Sequence, residues 1–359
     1  MAYTTIDDPS AYFHTQLYAG DASGNAQNIT NDANAGDFKP DWLWIKERTS
    51  TSNHMVMDSS RAGDYNRIMP NKSDTEITSD PAVLPLTDGF SVADSDGGLN
   101  QASQTYVAWQ WKCNGGTRTT YSESGDNPAG GYQANTTAGF SIVDWTGTGG
   151  AGGTVAHGLG AVPHTIITKT RSHANDWAVY HHKNTSAPET DYLVLNSTAA
   201  TVDNVNRWND TVPTSTNLVL GDVGGVNSND QTQIAYVFTE IQGFSKFGAY
   251  TGNSNNNGPF LYTGFKPAMF FRKRTDGANG WNIWDNKRAP FNEMHVSSAI
   301  HTTAVEDANT GYNDVDFLSN GIKIHDTGDS HNLSGSSYVY WAWAESPFVS
   351  SKGVPTTAR

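Results

Sequence analysis

Three lysines in this chain each stand at a fixed distance from an acid or a histidine, and such sets could serve as ion pairs, binding sites or catalytic groups. In every set a proline precedes the lysine by six residues, and the third member follows the lysine by twelve. The sets are Pro40, Lys46 and Asp58; Pro163, Lys169 and His181; and Pro267, Lys273 and Asp285. A carboxylate that had to act catalytically in every copy would not tolerate the histidine at position 181. We therefore predict that the lysine and the acid form a structural ion pair across two adjacent strands.

An asparagine also recurs, six residues before an aromatic run that reads as a strand. The asparagines are Asn100, Asn227 and Asn332, and the runs that follow them are YVAWQWK, QIAYVFTE and YVYWAWAE. A side-chain amide can supply the hydrogen bonds that a tight turn needs. We predict a turn at each position, in which the amide binds nearby backbone.

These spacings indicate that one unit of about 100 residues, close to the usual size of a domain, is written three times. The predicted divisions are an N-terminal arm (1–12), repeat 1 (13–112), a linker (113–138), repeat 2 (139–242), repeat 3 (243–348) and a C-terminal tail (349–359). The linker lacks periodicity and has few apolar residues. We expect repeats 2 and 3, which adjoin directly, to pack rigidly, repeat 1 to swing, and the arm to become ordered only against a neighbour.

The composition predicts an all-β fold. Glycine occurs 35 times, and glycine, asparagine, threonine and serine separate short runs of aromatic and β-branched residues. Trp42 and Trp44 alternate with Leu43 and Ile45, which is the period of a strand whose two faces are both covered. We predict three homologous antiparallel β-sandwich modules in tandem, lectin-like or jelly-roll-like. A three-bladed propeller is disfavoured, because propellers with so few blades are rare.

The eleven tryptophans are the residues best suited to stacking against sugars or bases. Most of them occupy positions that are large and apolar in more than one repeat, which is typical of core residues. Trp208 lies in the polar segment NRWNDT and has no aromatic counterpart in the other repeats. We predict that its ring is exposed and that it binds a ligand together with Asn209 and Asp210.

Other chemical motifs are incomplete. GTGGAGG at 147–153 lacks the following helix that a phosphate-binding loop requires. DSDGG at 94–98 has Thr105 where a calcium loop has glutamate, which leaves only a casual surface cation open there. The histidines form no HExxH motif, and no carboxylate pair, GxSxG elbow or Cys–His set stands out. We predict that the protein is not an enzyme and uses no metal or cofactor.

Charge and targeting signals limit the partners. The formal net charge is −14, and the few basic groups are scattered, so we predict no nucleic-acid partner. Cys113 is the single cysteine, which excludes a disulfide within the chain. The N-terminus lacks a secretion signal, and no run approaches the roughly 20 apolar residues that cross a bilayer. We expect no membrane insertion.

Several long phrases resemble a repeat found in tail-associated and other virion proteins of bacteriophages, particularly aquatic ones. They include PDWLWIKERT, YVAWQWK, GFSIVDWTGTG, GTVAHGLGAVP, GFSKFGAYTGN, GPFLYTGFKPA and DFLSNG, and they span residues 13–348. The resemblance implies a virion structural protein, assembled in the host cytoplasm, with lectin-like β-sandwich repeats. It brings no functional residues that can be transferred to this chain.

Three functions are compatible with this resemblance. The first is a tail-fibre or appendage component that binds a glycan or protein on the host cell surface. The second is an architectural protein for capsid decoration or tail assembly, whose partners are other virion proteins. The third is a polysaccharide depolymerase. Because fibres and spikes usually have threefold symmetry, we expect a homotrimer, although the heptads that would support one independently are absent.

Overall fold

The structure is a computed structural model that describes residues 2–21, 25–32, 37–61, 66–78, 83–93, 98–308 and 315–356. Within these ranges it is nearly all β, with one short α-helix, α1 (Val205–Trp208), and one 3-10 helix (Pro9–Ala11). The prediction of an all-β protein is confirmed. The DSDGG motif lies largely outside the described residues.

The described residues form 25 strands, which are numbered in chain order. The strands up to the end of repeat 1 are β1 (Phe13–Ala19), β2 (Gln27–Ile29), β3 (Trp42–Glu47), β4 (Met55–Asp58), β5 (Val83–Pro85), β6 (Phe90–Val92) and β7 (Thr105–Trp111). The next strands are β8 (Thr119–Tyr121), β9 (Gly130–Asn135), β10 (Phe140–Thr146), β11 (Thr154–Ala156), β12 (Thr165–Thr170), β13 (Ala178–His181), β14 (Asp191–Val194), β15 (Val202–Asp203), β16 (Asn217–Val219) and β17 (Thr232–Phe238). Repeat 3 contains β18 (Ser245–Thr251), β19 (Phe260–Tyr262), β20 (Phe265–Arg274), β21 (Trp281–Asp285), β22 (Ser298–Ala299), β23 (Val315–Leu318), β24 (Gly321–Ile324) and β25 (Ser337–Pro347).

Each repeat contains a main sheet in which four strands follow the same order, and further strands extend this sheet in repeats 2 and 3. The orders are β1–β7–β3–β4, β10–β17–β12–β13 and β18–β25–β20–β21, and all neighbouring strands are antiparallel. Each repeat also has a smaller sheet, with the orders β2–β6–β5, β11–β16 and β19–β24–β23. The repetition in sequence is therefore matched by repetition in strand pairing.

The aromatic run that ends each repeat forms the second strand of its main sheet and is buried on both faces. In β7, Val107, Trp109 and Trp111 belong to one hydrophobic cluster, while Tyr106 and Ala108 belong to another. Because side chains alternate between the faces of a strand, β7 contributes to two cores at once. This explains why these runs have large residues at successive positions.

Residues 113–138 were predicted to be a linker, and this prediction is wrong. They include β8 and β9, which extend the main sheet of repeat 2, because β9 pairs with β10 and β8 pairs with β9, both antiparallel. The Gln133 side chain donates to Ser59 Oγ and Ser60 Oγ of repeat 1 at 2.8 and 2.6 Å. The segment is therefore bound by hydrogen bonds to repeats 1 and 2, which a free linker would not be.

The three repeats share a central hydrophobic core. The equivalent residues Trp111, Phe238 and Trp343 meet there, and the ring centroid of Trp343 lies 5.3 Å from that of Trp111 and 5.5 Å from that of Phe238. All eleven tryptophans are at most 3% exposed. Full burial of one such large apolar side chain stabilises the folded state by about 3 kcal/mol. The predicted swing of repeat 1 is wrong, because its main sheet packs into the same core as the other two.

The N-terminal arm lies against repeat 3 and the C-terminal tail. Ile6 is 2% exposed, and the Tyr3 hydroxyl donates to the carbonyl of Gly264 at 2.8 Å. The Asp7 carboxylate accepts from the backbone N–H of Ser351 at 2.6 Å. The arm was expected to need a neighbouring molecule, but it finds its partners within its own chain.

Candidate functional site

The repeated polar residues lie at the three boundaries between repeats. Repeat 1 contacts repeat 3 at the 1/3 boundary, repeat 2 contacts repeat 1 at the 1/2 boundary, and repeat 3 contacts repeat 2 at the 2/3 boundary. Equivalent side chains reach across in the same cyclic direction each time. Because repeat 1 contacts repeat 3, repeat 3 contacts repeat 2, and repeat 2 contacts repeat 1, the three repeats form a closed ring.

The repeated lysines cross these boundaries. Lys46, Lys169 and Lys273 are fully buried, and burial lowers their pKa to about 8, about 8 and about 7. Their ammonium groups lie at 3.5, 2.9 and 3.2 Å from the carbonyl oxygens of Thr303, Ser73 and Thr198, which belong to repeats 3, 1 and 2 respectively. Each lysine also donates to a carbonyl of its own repeat, at Glu47, Asn175 and Asn279. The lysines thus satisfy backbone carbonyls on both sides of a boundary.

The predicted ion pair between the repeated lysine and acid is wrong. β3 and β4 do lie side by side, but their register pairs Trp42 with Asp58, so Lys46 stands at the opposite end of the hairpin. Asp58 instead pairs with Arg61, with 2.6 Å between Oδ2 and Nε. Asp285 and Arg288 form the same contact at 2.6 Å. The sequence held a signal for this pair, since an arginine follows the aspartate by three residues in both repeats.

An aromatic donor from the neighbouring repeat reaches each aspartate. The Tyr236 hydroxyl donates to Asp58 Oδ2 at 2.7 Å across the 1/2 boundary, and Trp109 Nε1 donates to Asp285 Oδ2 at 3.2 Å across the 1/3 boundary. Burial, and to a lesser extent the negative charge of Asp58, raises the pKa of Tyr236 well above its ordinary value, so the hydroxyl keeps its proton. A buried carboxylate is stable only with a counter-ion and hydrogen-bond donors. Here both are supplied.

The 2/3 boundary is the neutral version of this arrangement. His181 and Asn184 occupy the positions of the aspartate and arginine, and Trp341 Nε1 donates to Thr165 Oγ1 at 3.0 Å. His181 Nδ1 accepts from the backbone N–H of Lys183 at 3.1 Å, which leaves Nε2 to donate to the carbonyl of Tyr340 at 3.3 Å. Burial, and then His182, lower the pKa of His181 well below its ordinary value. The neutral imidazole therefore satisfies both of its nitrogens.

A second set of boundary contacts shows the same difference in charge. Arg48 pairs with Glu306 at 2.8 Å across the 1/3 boundary, and Arg171 pairs with Glu76 at 2.9 Å across the 1/2 boundary. At the 2/3 boundary the equivalent residues are Thr275 and Thr201. An equivalent backbone hydrogen bond joins all three pairs. The N–H groups of Glu306, Glu76 and Thr201 donate to the carbonyl oxygens of Arg48, Arg171 and Thr275 at 3.1, 2.9 and 2.9 Å, respectively. These charged residues were not identified from the sequence.

The repeated asparagines act within their own repeats. Asn100, Asn227 and Asn332 are fully buried. Their Oδ1 atoms accept from the backbone N–H of Asp21, Thr148 and Asn253 at 2.9, 3.1 and 2.8 Å. The amides therefore bind backbone, as predicted, but that backbone lies 79 residues earlier in the chain. They tie the end of the first main-sheet strand to the start of the aromatic run.

The prediction that the Trp208 ring is exposed is wrong. Trp208 is 2% exposed, and its Nε1 donates to the carbonyl of Asp191 at 3.0 Å. It ends α1, whose N-terminus is capped by the Asn204 side chain. Asn209 and Asp210 follow in left-handed backbone conformation, with φ of 52° and 44°, and Asp210 is exposed. The helix turns the ring inward, and the available sequence signal was the asparagine cap.

His164, His182 and Glu240 form the one group in the described ranges whose ligand atoms all lie within 4.8 Å of one another and could hold a metal ion. Their atoms already have partners. The backbone N–H of Glu240 donates to His164 Nδ1 at 3.0 Å, and His182 Nε2 lies 2.7 Å from the carbonyl of Phe247. The Lys246 ammonium lies 2.8 Å from Glu240 Oε2 and supplies a cation to that carboxylate. A metal ion would have to displace this lysine.

Three adjoining depressions form an open groove that lies mainly on repeat 3 and extends onto the N-terminal arm, repeat 1 and the C-terminal tail, and we call it the repeat 3 groove. Glu345 lines all three depressions, and five residues each line two of them: Lys266, Asn286, Lys287, Asn292 and Phe317. The largest has a volume of about 690 Å³, which is within the usual range for small-molecule sites. Phe291 lies in the groove and is 82% exposed, the highest value among the exposed large hydrophobic residues of the described chain. The sequence reasoning did not identify this groove.

A family model described as a domain of unknown function, DUF7483, matches residues 8–347. No curated protein and no solved structure matches the chain. None of the helices in the described ranges has the length and apolar character needed to cross a membrane.

Proposed function

We propose that this chain, which belongs to the DUF7483 family, is a bacteriophage virion structural protein, a tail-fibre or appendage component that binds a glycan on the host cell surface. The proposal of a virion protein rests on the resemblance of several long phrases in the sequence to a repeat of bacteriophage virion proteins. We further propose that its three repeats are homologous, lectin-like antiparallel β-sandwich modules in tandem. The identical strand order of the main sheets supports this relationship.

The observation that carries the proposal is the contrast between the boundaries and the surface. Lys46, Asp58 and their equivalents are buried and take their partners from the protein itself, which gives them a structural role. The repeat 3 groove, in contrast, is open and presents an exposed aromatic ring beside polar groups. This combination favours recognition by a rigid protein over catalysis.

The test uses the purified full chain and the bacterial host of the phage that encodes it. Labelled protein should bind host cells and should reduce adsorption of the phage when added first. Binding of neither kind by folded protein would refute the proposal. Release of reducing sugar from host polysaccharide would instead indicate the depolymerase function.

An architectural role is the second candidate, and the cyclic arrangement of the repeats favours it. A single chain with three equivalent boundaries presents nearly threefold symmetry, which suits docking onto a threefold virion partner. Antibody labelling of intact particles separates the two roles, because a distal outward position supports host binding and a position buried among subunits supports architecture. Analytical ultracentrifugation tests the expected homotrimer.

A further inference from the structure

We propose that the repeat 3 groove binds an uncharged oligosaccharide, with Phe291 as the stacking platform. This inference rests on the proposed function and identifies both the site and the chemical class of its ligand. One face of a pyranose ring is formed by C–H groups, which carry slight positive charge. The face of an aromatic ring carries the opposite charge, so the two faces attract each other in water.

The backbone beside Phe291 is held in place by the side chain of Asn292. Asn292 Nδ2 donates to the carbonyl of Phe317 at 3.1 Å, and the backbone N–H of Phe317 donates back to Asn292 Oδ1 at 3.0 Å. This two-way contact fixes the segment that carries Phe291 against β23. A ring presented on a fixed backbone loses little conformational freedom on binding, which favours affinity.

Hydrogen-bonding groups line the same depression as Phe291. The Glu345 carboxylate accepts from the Lys266 ammonium at 2.9 Å and from Asn286 Nδ2 at 2.8 Å. The side chains of Glu345 and Lys266 are 38% and 39% exposed, so solvent still reaches both. A sugar hydroxyl can donate to the carboxylate and accept from the ammonium or the amide. The groove thus offers donors and acceptors next to an apolar surface.

The charges of the groove favour an uncharged ligand. Lys266 and Lys287 are balanced by Glu345 and Asp32, which they contact at 2.9 and 2.6 Å, and Asp8 adds a further negative charge. The chain as a whole carries a net charge of −14. Acidic glycans would be repelled by this surface.

We also infer one such site per chain. Phe291 follows Arg288 by three residues, and the residues at the same distance from Arg61 and Asn184 are Asp64 and Ala187. At this position of the sequence, only repeat 3 has an aromatic residue. This differs from the threefold repetition of the boundary contacts.

The experiment compares the wild type with Phe291→Ala, and with Phe260→Ala as the matched control. Phe260 is also an exposed phenylalanine of repeat 3, 46% exposed, and it does not line the groove. The probes are whole host cells and the neutral and acidic polysaccharide fractions extracted from their surface. We expect the neutral fraction to compete with cell binding, Phe291→Ala to weaken binding about tenfold, and Phe260→Ala to bind like the wild type.

Three results would overturn the inference while leaving the proposed function intact. They are cell binding that Phe291→Ala does not weaken, competition by the acidic fraction only, and equal loss in both variants. Failure of the wild type to bind cells would refute the proposed function itself. Calorimetric titration with the neutral fraction tests the stoichiometry, and three sites per chain would exclude Phe291 as the platform.

Discussion

Substituting His181 by aspartate would place the acid of the other repeats at the 2/3 boundary without its counter-ion. The counter-ion in the other repeats is Arg61 or Arg288, and the equivalent residue in repeat 2 is Asn184. The new carboxylate could accept from the Lys183 N–H, which now donates to His181 Nδ1. It would, however, face the Tyr340 carbonyl, which lies 3.3 Å from His181 Nε2 and would lose its donor.

The expected cost follows from these contacts. Position 181 is fully buried, and a buried charge without a partner destabilises a protein by about 3–5 kcal/mol. We therefore expect His181→Asp to lower the free energy of unfolding by about 3 kcal/mol near neutral pH. Burial would raise the pKa of the new carboxyl group, so the penalty should shrink as the pH falls and the carboxyl group becomes protonated.

The double variant His181→Asp with Asn184→Arg should recover part of this loss. In the other repeats the arginine Nε binds the aspartate, and a terminal nitrogen binds a backbone carbonyl, at Val56 for Arg61 and at Ile283 for Arg288. The glutamate that accompanies each pair is replaced by Thr201 at the 2/3 boundary. We thus expect recovery of about half of the lost free energy, in line with the coupling seen between contacting residues.

Urea denaturation, followed by tryptophan fluorescence and circular dichroism, measures these differences. His173→Asp is the matched control, because His173 is an exposed histidine of the same repeat and its substitution should change stability by less than about 0.5 kcal/mol. Equal stability of His181→Asp and His173→Asp would refute the reasoning. A double variant no more stable than the single one would show that the arginine cannot adopt the geometry of the other boundaries.

Three further predictions follow from the buried side chains. Burial lowers the pKa values of His164 and His181, that of His164 to about 4, so these histidines take up protons at higher pH in the unfolded chain than in the folded one. The melting temperature should therefore fall as the pH is lowered from about 6.5 to about 4. A melting temperature that stays constant over this window would contradict the prediction. Lys273→Met should lower the free energy of unfolding by about 1–3 kcal/mol in urea denaturation, because the fully buried Lys273 ammonium donates to two carbonyls that would lose this donor. Lys183→Met at an exposed position should cost almost nothing. Trp208→Ala should cost about 3–5 kcal/mol of unfolding free energy through the cavity it leaves, and unchanged stability with lost host-cell binding would restore a ligand role for this ring.

The sequence by itself determined which residues are equivalent. The spacing of Lys46, Lys169 and Lys273 predicted one unit used three times, and these lysines occupy equivalent places at the boundaries. Alternation of large residues within short runs predicted strands covered on both faces, and β7 has one cluster on each face. Both inferences rest on spacing along the chain, because the repetition of a unit and the two-residue period of a strand are visible in the sequence itself.

Only the tertiary structure decided which partners these residues take. Lys46 binds a carbonyl 257 residues away, and no local pattern could distinguish that contact from an ion pair with Asp58. Residues 113–138 look like a linker because an edge strand that pairs through its backbone needs few apolar side chains. Trp208 was misjudged for a related reason, since its burial depends on a helical turn that directs the ring inward, and the polarity of its sequence neighbours conceals that direction.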